Sequence, residues 1–320
     1  MKKASAFILA NDNFLLSSHV NPDGDGVGSI IGIAGLLRKL GKKYRIICED
    51  PPQDKLSFLK GFDEFTPYND SLLGQPLFSS AIIIDSPHMD RIGNTARILA
   101  TNARILKIDH HVTEDLYGTV NLVIPEAAAS AQIVASLFET MGVALDRDSA
   151  AALYVGLCID TGRFRFNNTT PEVFRLAARL VETGLEPDII ADKLFYQTSL
   201  KNKMCLAKML STIELHKGGK VASAFFDYEF LNSETGKGVD TEGFVNQPLS
   251  IEGVEMAFLI REQEKGQTRV SLRSRNDVDV NRLAQLFGGG GHVRASGCRI
   301  AGSVSEVKEK LLAAAENFIR

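Results

Sequence analysis

Two adjacent histidines follow an aspartate directly after an apolar run in this 320-residue chain. The run is "ARILKI" at 103–108, and Asp109, His110 and His111 come directly after it. Imidazole and carboxylate groups are the side chains that hold divalent cations and transfer protons in enzymes. Because the chain has only six histidines, a pair of them at the end of a predicted buried strand is a candidate site.

Three further segments end in side chains of the same kind. In chain order they supply His19, Asp23 and Asp25 in "HVNPDGDG", Asp85 after "AIII", and Asp160 in "LYVGLCIDTG". In open parallel α/β sheets, ligands bind beyond the carboxyl ends of the strands. We therefore expect these side chains to gather at one edge of a sheet.

Gathered carboxylates repel one another and are costly to desolvate. Two divalent cations remove that cost, and a carboxylate that bridges them holds them ~3.5–4 Å apart, an arrangement that activates water and neutralises a phosphoryl transition state. Mixed imidazole and carboxylate ligation suits Mn²⁺ best, with Mg²⁺ or another transition ion as alternatives. Each segment alone is more typical of a turn or a helix cap, but four at successive element ends favour a metal site.

The apolar pattern predicts two domains. Strand-like segments (13–20, 44–50, 77–87 and 103–111) alternate with helical ones (27–41, 127–142, 149–162 and 170–184), which predicts a mostly parallel sheet. The helical segment 187–215 contains no predicted strand. Beyond it lie strand patterns at 221–230, 253–263 and 268–274 and helical patterns at 279–287 and 304–319. We predict an α/β fold with a parallel-sheet domain at 1–186, a helical linker at 187–215 and a smaller mixed α/β domain at 216–320.

Composition and charge limit the classes of function. The formal net charge is −3, whereas proteins that track long nucleic acids usually show a broad basic excess. Arginines nevertheless crowd one C-terminal region, which suits a short anionic ligand: Arg269, Arg273, Arg275, Arg294 and Arg299.

No apolar run approaches the ~20 residues of a membrane span. The N-terminal "AFILA" is shorter than the ~7–15 residues of a signal-peptide core, so we expect no leader. The scattered cysteines, without a CxxC pair, favour reduced thiols in the cytoplasm.

A second motif lies near the C-terminus. The glycine run 288–291 permits close approach of a ligand, and its amide groups suit an anion. In "SLRSR", two arginines alternate with a serine, so we expect both to project from one face of a strand. A guanidinium group suits a phosphate oxygen or a base edge, whereas such arginines also occur on solvated faces. The predicted substrate-binding residues are Arg273, Ser274, Arg275, Gly289, Gly290, Gly291 and His292.

Together these motifs resemble those of a known family. "HVNPDGDGVGS", the strand end at Asp85, "DHH" and "DTG" resemble the successive motifs of the DHH phosphoesterases, and "FGGGGHVRASG" resembles the GGGH signature of their DHH-associated C-terminal domain. Segments 241–258 and 270–292 are similar to the bacterial nano-RNases that also dephosphorylate pAp (3′-phosphoadenosine 5′-phosphate), the NrnA-like subfamily. One departure is Ser296, where an alanine often precedes the last glycine.

The resemblance implies a role for each residue of the motifs. His19, Asp23 and Asp85 would hold one metal, and Asp25, Asp85, His110 and Asp160 the other, with Asp85 as the bridge. His111 would face the substrate phosphate, and we expect Asp109 to orient a neighbouring imidazole. The C-terminal domain would hold the nucleotide end of the substrate.

The predicted function is a two-metal phosphoesterase that cuts short RNA oligonucleotides to 5′-mononucleotides and dephosphorylates pAp. The alternatives are a phosphodiesterase for cyclic or linear dinucleotides (c-di-AMP or pApA) and a non-catalytic nucleotide sensor. A sensor would not need all six metal positions, so their presence argues against it. Substrate length, direction of degradation, native metal and oligomeric state remain open, and a homodimer is compatible with the sequence.

Four residues near these motifs have no firm assignment. Arg163 and Arg165 follow Asp160 and either bind phosphate or face solvent. His88 follows Asp85 closely, and we interpret it as a loop histidine rather than a ligand. His216 lies outside every motif and receives no role.

Overall fold

The structure is a computed structural model that describes residues 1–241 and 243–319. It divides into two compact units, Met1–Gln197 and Thr198–Arg320. The division falls inside the predicted helical linker. Residues 187–197 therefore belong to the first unit, and residues 198–215 belong to the second.

The first unit is built on a parallel sheet, as predicted. Its strands are β1 (Phe14–Ser17), β2 (Tyr44–Cys48), β3 (Phe65–Pro67), β4 (Phe78–Ile84), β5 (Leu99–Asp109) and β6 (Val120–Val123). They lie in the order β3-β2-β1-β4-β5-β6, and every pairing is parallel. The β-branched run of β4 is buried because the α-helices cover one face of the sheet and 3-10 turns at Asp70–Gly74 and Met89–Ile98 cover the other. The short edge strands β3 and β6 were not predicted.

Helices pack on this sheet. They are α1 (Lys2–Ala10), α2 (Gly24–Lys39), α3 (Ser130–Thr140), α4 (Arg147–Asp160), α5 (Pro171–Glu182) and α6 (Pro187–Ala191), which continues into a π-helical turn at Asp192–Tyr196. Residues 2–10 form α1 and bury Phe7 and Ile8. No helix in the described ranges is long and apolar enough to cross a bilayer.

Close packing of α2 on α4 sets the distance between two parts of the site. A Cβ atom on Gly28 would lie 2.2 Å from the backbone oxygen of Ala152, so only a glycine permits this approach. Gly24, at the start of α2, lies against Ile159 near the end of α4, so the helices run antiparallel. The N-terminus of α2 therefore meets the C-terminus of α4.

The second unit has a mixed sheet. Its elements are α7 (Leu200–Leu210), β7 (Glu214–His216), β8 (Val221–Phe226), α8 (Tyr228–Asn232), α9 (Asn246–Leu249), β9 (Met256–Glu264), β10 (Gln267–Ser274), α10 (Val280–Gln285), β11 (Gly290–His292), β12 (Ala295–Ala301) and α11 (Val304–Ala315). The strands lie in the order β11-β12-β10-β9-β8-β7, and neighbours are antiparallel except for the parallel pair β8 and β9. The overall α/β class is thus confirmed.

Two predicted boundaries in this unit were wrong. The strand predicted over 221–230 ends at Phe226, because the Asp227 side chain accepts a hydrogen bond from the Phe230 N–H and caps α8. The helical pattern predicted over 187–215 ends at Leu210, and Glu214 and Leu215 pair with β8 as part of β7.

Candidate metal centre

The candidate site lies at the carboxyl ends of three strands. Strand β1 lies between β2 and β4, so the direction in which strands are added reverses at β1. Such a switch point opens a crevice in which α/β proteins bind ligands. His19 follows β1, Asp85 follows β4, and Asp109 ends β5. The sequence prediction that these residues share one edge of the sheet agrees with this placement.

Ligand atoms gather there in three overlapping sets. The sets are His19 with Asp23 and Asp85, Asp25 with His110 and Asp160, and Asp85 with His110 and His111; within each set the ligand atoms lie within 4.8 Å of one another. Every predicted metal ligand therefore belongs to a set. His111 is predicted to face the substrate, and one of its ring nitrogens lies within 4.8 Å of ligand atoms of Asp85 and His110.

Asp85 is placed between the two groups of predicted ligands. Its Oδ2 lies 3.6 Å from Nε2 of His19, and its Oδ1 lies 3.5 Å from Nε2 of His110. The Asp85 backbone has a left-handed φ of 56°, a strained conformation for a residue other than glycine. The Ser130 hydroxyl donates to Oδ1 over 3.2 Å and helps to fix the carboxylate. One oxygen of Asp85 thus faces each group.

The aspartates of "PDGDG" are fixed by helix termini. Asp23 is the N-cap of α2 and accepts hydrogen bonds from the N–H groups of Asp25 and Gly26. Asp25 is fully buried and accepts bonds from the N–H groups of Ser130 and Ala131, at the first turn of α3, over 2.6 and 2.9 Å. These last contacts were not predicted from the sequence.

The pKa values reflect this crowding of charge. Burial lowers the pKa of both histidines, but nearby carboxylates outweigh it: Asp85 raises the pKa of His19 to about 9, and Asp160 with Asp25 and Asp85 raises that of His110 to about 10. Burial and the carboxylates of Asp85 and Asp160 raise the pKa of Asp23 to about 6. Burial also raises the pKa of Asp25 and Asp160. Buried carboxylates this close together, with imidazole nitrogens beside them, form a donor set that fits divalent cations.

A hydrogen bond to Asp109 and a buried ion pair behind it support His111. The Nδ1–H of His111 donates to Oδ1 of Asp109 over 2.8 Å, a contact that can orient the imidazole. Oδ2 of Asp109 accepts no hydrogen bond from the described residues, but it lies 3.4 Å from Nζ of Lys107. Lys107 is fully buried and donates to the backbone oxygens of Pro87 and Asp115. The sequence signal for Lys107 was a lysine inside the apolar run "ILKI".

Of the four residues without a firm assignment, Arg163, Arg165 and His88 lie in the first unit and His216 lies in the second. The Arg163 guanidinium lies 4.0 Å from the centre of the Phe195 ring, and Arg165 Nε donates to the backbone oxygen of Gly162. His88 is paired with Asp115 at 3.5 Å and belongs to none of the three sets. His216 is in the second unit, where its Nε2 lies 2.8 Å from the Ser223 hydroxyl.

The predicted substrate-binding residues lie in the second unit. Gly290, Gly291 and His292 form β11, and Gly289 approaches β12 so closely that a Cβ atom would lie 2.3 Å from the Gly297 oxygen. Arg273 is half-buried on β10, whereas Arg275 is exposed one residue beyond the strand. The Ser274 hydroxyl is buried and donates to the Val278 oxygen, so it supports the turn after β10. A role for these residues in substrate binding remains a prediction.

Comparisons with known proteins agree with both motifs. The model of the DHH family, N-terminal domain, matches residues 13–157, and that of the DHHA1 domain matches 218–320. The "bifunctional oligoribonuclease and PAP phosphatase NrnA" of Thermus thermophilus is 32% identical over 93% of this chain and 88% of that protein. An "exopolyphosphatase-related protein" of Bacteroides fragilis has a similar structure, with a TM-score of 0.92, 27% identity and coverage of 99% of this chain and 96% of that one. The "cyclic-di-AMP phosphodiesterase PdeA" of Listeria monocytogenes is 22% identical over 97% of this chain, which spans 48% of that longer protein.

Proposed function

The chain belongs to the DHH family and carries a DHHA1 domain, and from this premise we propose that it is a metal-dependent phosphoesterase acting on short RNA oligonucleotides and on pAp. The products would be 5′-mononucleotides from RNA and a mononucleotide from pAp. The Thermus thermophilus relative is named for both activities, and its similarity extends over most of both chains.

The observation that carries this proposal is the position of Asp85. One of its oxygens faces His19 and Asp23, and the other faces His110, which pairs with Asp160 over 3.1 Å. A carboxylate between two ligand groups is what a pair of metal ions requires. We propose that His19, Asp23 and Asp85 hold one ion and that Asp25, Asp85, His110 and Asp160 hold the other.

Divalent ions at these residues would supply water activation and charge neutralisation for phosphoester hydrolysis. Mixed imidazole and carboxylate donors favour Mn²⁺, and we propose it as the native metal. The protein's own contribution is to fix these donors. Helix termini orient Asp23 and Asp25, and the strained turn at Asp85 aims its carboxylate. The donors therefore need little rearrangement to receive a cation.

We propose that His111 donates a hydrogen bond to the phosphate that is cut. Its Nδ1–H donates to Asp109, which fixes the ring orientation. The hydrogen bond from Nε2 to the phosphate therefore requires the doubly protonated ring, in which both nitrogens are donors. In the second unit, the guanidinium groups of Arg273 and Arg275 and the amides of Gly289, Gly290 and Gly291 would bind the anionic end of the nucleotide, together with His292. Ser274 would act only through the turn that it stabilises.

A second candidate function is hydrolysis of cyclic or linear dinucleotides. The similarity to the cyclic-di-AMP phosphodiesterase of Listeria monocytogenes favours it, but at lower identity and with only about half of that protein covered. A purely binding protein is disfavoured because all six predicted ligands meet at one site.

We further propose that the protein acts in the cytoplasm. All four cysteines are buried free thiols, which suits a reducing compartment. The proposal includes no membrane partner.

The test is a product time course with Mn²⁺ on labelled RNAs from two nucleotides to a long oligomer, with pAp and c-di-AMP in parallel. We expect rapid conversion of the shortest RNAs to mononucleotides and dephosphorylation of pAp. Activity confined to the cyclic dinucleotide would overturn the proposal while leaving the metal chemistry in place.

A further inference from the structure

Arginines stand side by side on one face of the second unit's sheet. Arg269 on β10 is the register partner of Arg261 on β9 and of Arg299 on β12. Neighbouring strands lie ~4.8 Å apart, so the three side chains start within about 10 Å of one another. We call this row, Arg261, Arg269 and Arg299, the arginine strip.

The strip is on the face of β10 and β12 that is open to solvent. On the opposite face, Val270, Leu272 and Ile300 are buried in a core with α10 and α11. Side chains alternate along a strand, so Arg269 and Arg299 point away from that core. Helices α7, α8 and α9 cover the strip's face over β8 and β9, but Arg269 and Arg299 are exposed.

The arrangement is costly for the protein alone. Like charges directly opposite on antiparallel strands destabilise a sheet. In the part of the chain that the structure describes, carboxylates within 4.0 Å of an arginine belong to pairs elsewhere and not to Arg269 or Arg299. Sheet geometry therefore concentrates positive charge here, and among the described residues no carboxylate pairs with either exposed guanidinium.

The inner member of the strip donates hydrogen bonds to neutral groups, while the charge of Asp240 partly offsets that of the neighbouring arginines. Arg261 donates to the hydroxyls of Thr241 and Ser271 over 2.6 and 2.7 Å, and its buried Nε has no hydrogen-bond partner among the described residues. Burial lowers the pKa of Arg261 to about 10, and the charge of Arg269 contributes to this. An anion over the strip would relieve the same repulsion that lowers this pKa.

Small residues connect the strip to a predicted substrate-binding arginine. Arg273 lies four residues along β10 from Arg269, which is about 13–14 Å on the same face. Between them, the partners on β12 are Gly297 opposite Ser271 and Ala295 opposite Arg273. On β10 and β12, the surface of the sheet between the two arginines therefore carries only small side chains.

We propose that the arginine strip binds a backbone phosphate of the RNA substrate that lies beyond the nucleotide end held near Arg273. The inference rests on the proposed RNA activity. Guanidinium groups pair with phosphate oxygens through two parallel hydrogen bonds, and the distance along β10 exceeds what the two phosphates of pAp need. The strip would therefore favour oligonucleotides of several residues over pAp and dinucleotides.

The test compares substrates of different length in the full-length protein. The variant Arg269→Gln/Arg299→Gln is assayed on a five-nucleotide RNA, a dinucleotide and pAp, at low and moderate salt. We expect the KM for the five-nucleotide RNA to rise about tenfold or more, because the variant removes the charge-assisted hydrogen bonds to one phosphate. The ratio of kcat/KM for the five-nucleotide RNA to that for pAp should fall by a similar factor. The dependence of log KM on log salt should lose about 0.7 per phosphate contact.

The control is Lys310→Gln, which removes one positive charge from α11 on the opposite face of the sheet. It should leave the length ratio and the salt dependence unchanged. An equal loss on all three substrates, an unchanged length ratio, or the same shift in the control would overturn the strip alone. A wild-type protein that hydrolyses pAp but no RNA would instead refute the proposed RNA activity, and the strip's role with it. Because removal of like charges should raise Tm at low salt, a folded variant is expected, and Arg269→Gln alone provides a milder version.

Discussion

The backbone N–H of Ser130 donates a 2.6 Å hydrogen bond to the carboxylate of Asp25, a residue 105 positions earlier in the chain. Ser130 is the first residue of α3, and Ala131 donates to the other oxygen of the same carboxylate. The orphan amides at the start of one helix thus hold a carboxylate from the first turn of another. This contact fixes Asp25 toward His110 and Asp160, the residues with which it would share a metal ion.

Replacing Ser130 by proline should weaken metal binding without breaking the helix. Proline is well tolerated at the first helical position, and Ala129 before it is already extended, as a residue before proline prefers. The substitution deletes the N–H that holds Asp25 and places ring carbons against its carboxylate. We expect affinity for Mn²⁺ to fall at least tenfold in a calorimetric titration, with the helical circular dichroism signal unchanged.

The matched control is Ser130→Ala, which removes only the hydroxyl that donates to Asp85. It should change metal affinity by a few-fold at most, because a single neutral hydrogen bond contributes ~0.5–1.5 kcal/mol. Equal affinities for the two variants would show that the backbone amide does not position Asp25.

The sequence located the site because metal ligands at the ends of parallel strands leave a local pattern. An apolar run followed by Asp85 or by Asp109 is visible without any long-range information. The amide contact between Ser130 and Asp25 is not, because it depends on how α3 docks beside α2. Strand β12 was missed for a related reason: its middle contains Gly297, which weakens the local strand signal, and pairing with β10 stabilises it.

Asp85→Asn should prevent the binding of two metal ions and abolish activity. The amide keeps the size of the side chain but cannot supply an anionic oxygen to each of two ions. We expect kcat to fall by at least about a thousandfold and the bound metal, measured by elemental analysis, to fall below two ions per chain. Asp115→Asn is the control, because that carboxylate pairs with His88 and belongs to none of the three sets. Near-wild-type turnover of Asp85→Asn would refute the two-metal assignment.

Metal binding should release protons near neutral pH. The pKa values of His19 and His110 are raised to about 9 and about 10, above the usual 6.5. Both rings are therefore doubly protonated and positively charged at pH 7.5 in the metal-free protein. A metal ion requires the neutral imidazole, so each ring must lose its proton on binding. We expect about two protons released at pH 7.5, declining as the pH rises through 9 and 10.

Calorimetric titrations with Mn²⁺ in buffers of different ionisation enthalpy count these protons directly. Apparent affinity should weaken as the pH falls, and more steeply below about 6, where Asp23 also binds a proton. His19→Gln should reduce the count by about one. A count near zero at pH 7.5 in the wild-type protein would show that the histidines are already neutral before metal binds.

Lys107→Met should destabilise the protein and lower kcat. Lys107 is fully buried, and its Nζ lies 3.4 Å from Oδ2 of Asp109 while it donates to two backbone oxygens. Removing one partner of a buried ion pair leaves the other charge uncompensated, which costs ~3–5 kcal/mol. Asp109 orients His111 through its other oxygen, so the loss should affect kcat more than KM.

A double-mutant cycle separates this charge effect from a simple loss of packing. If Lys107 acts by neutralising Asp109, then Lys107→Met/Asp109→Asn should be more stable than the sum of the two single effects predicts, by at least ~1 kcal/mol in urea unfolding. Lys60→Met is the control, because its pair with Asp148 is exposed and should contribute ~1 kcal/mol or less. Strictly additive effects would mean that Lys107 stabilises the two backbone oxygens and has no influence on the carboxylate that orients His111.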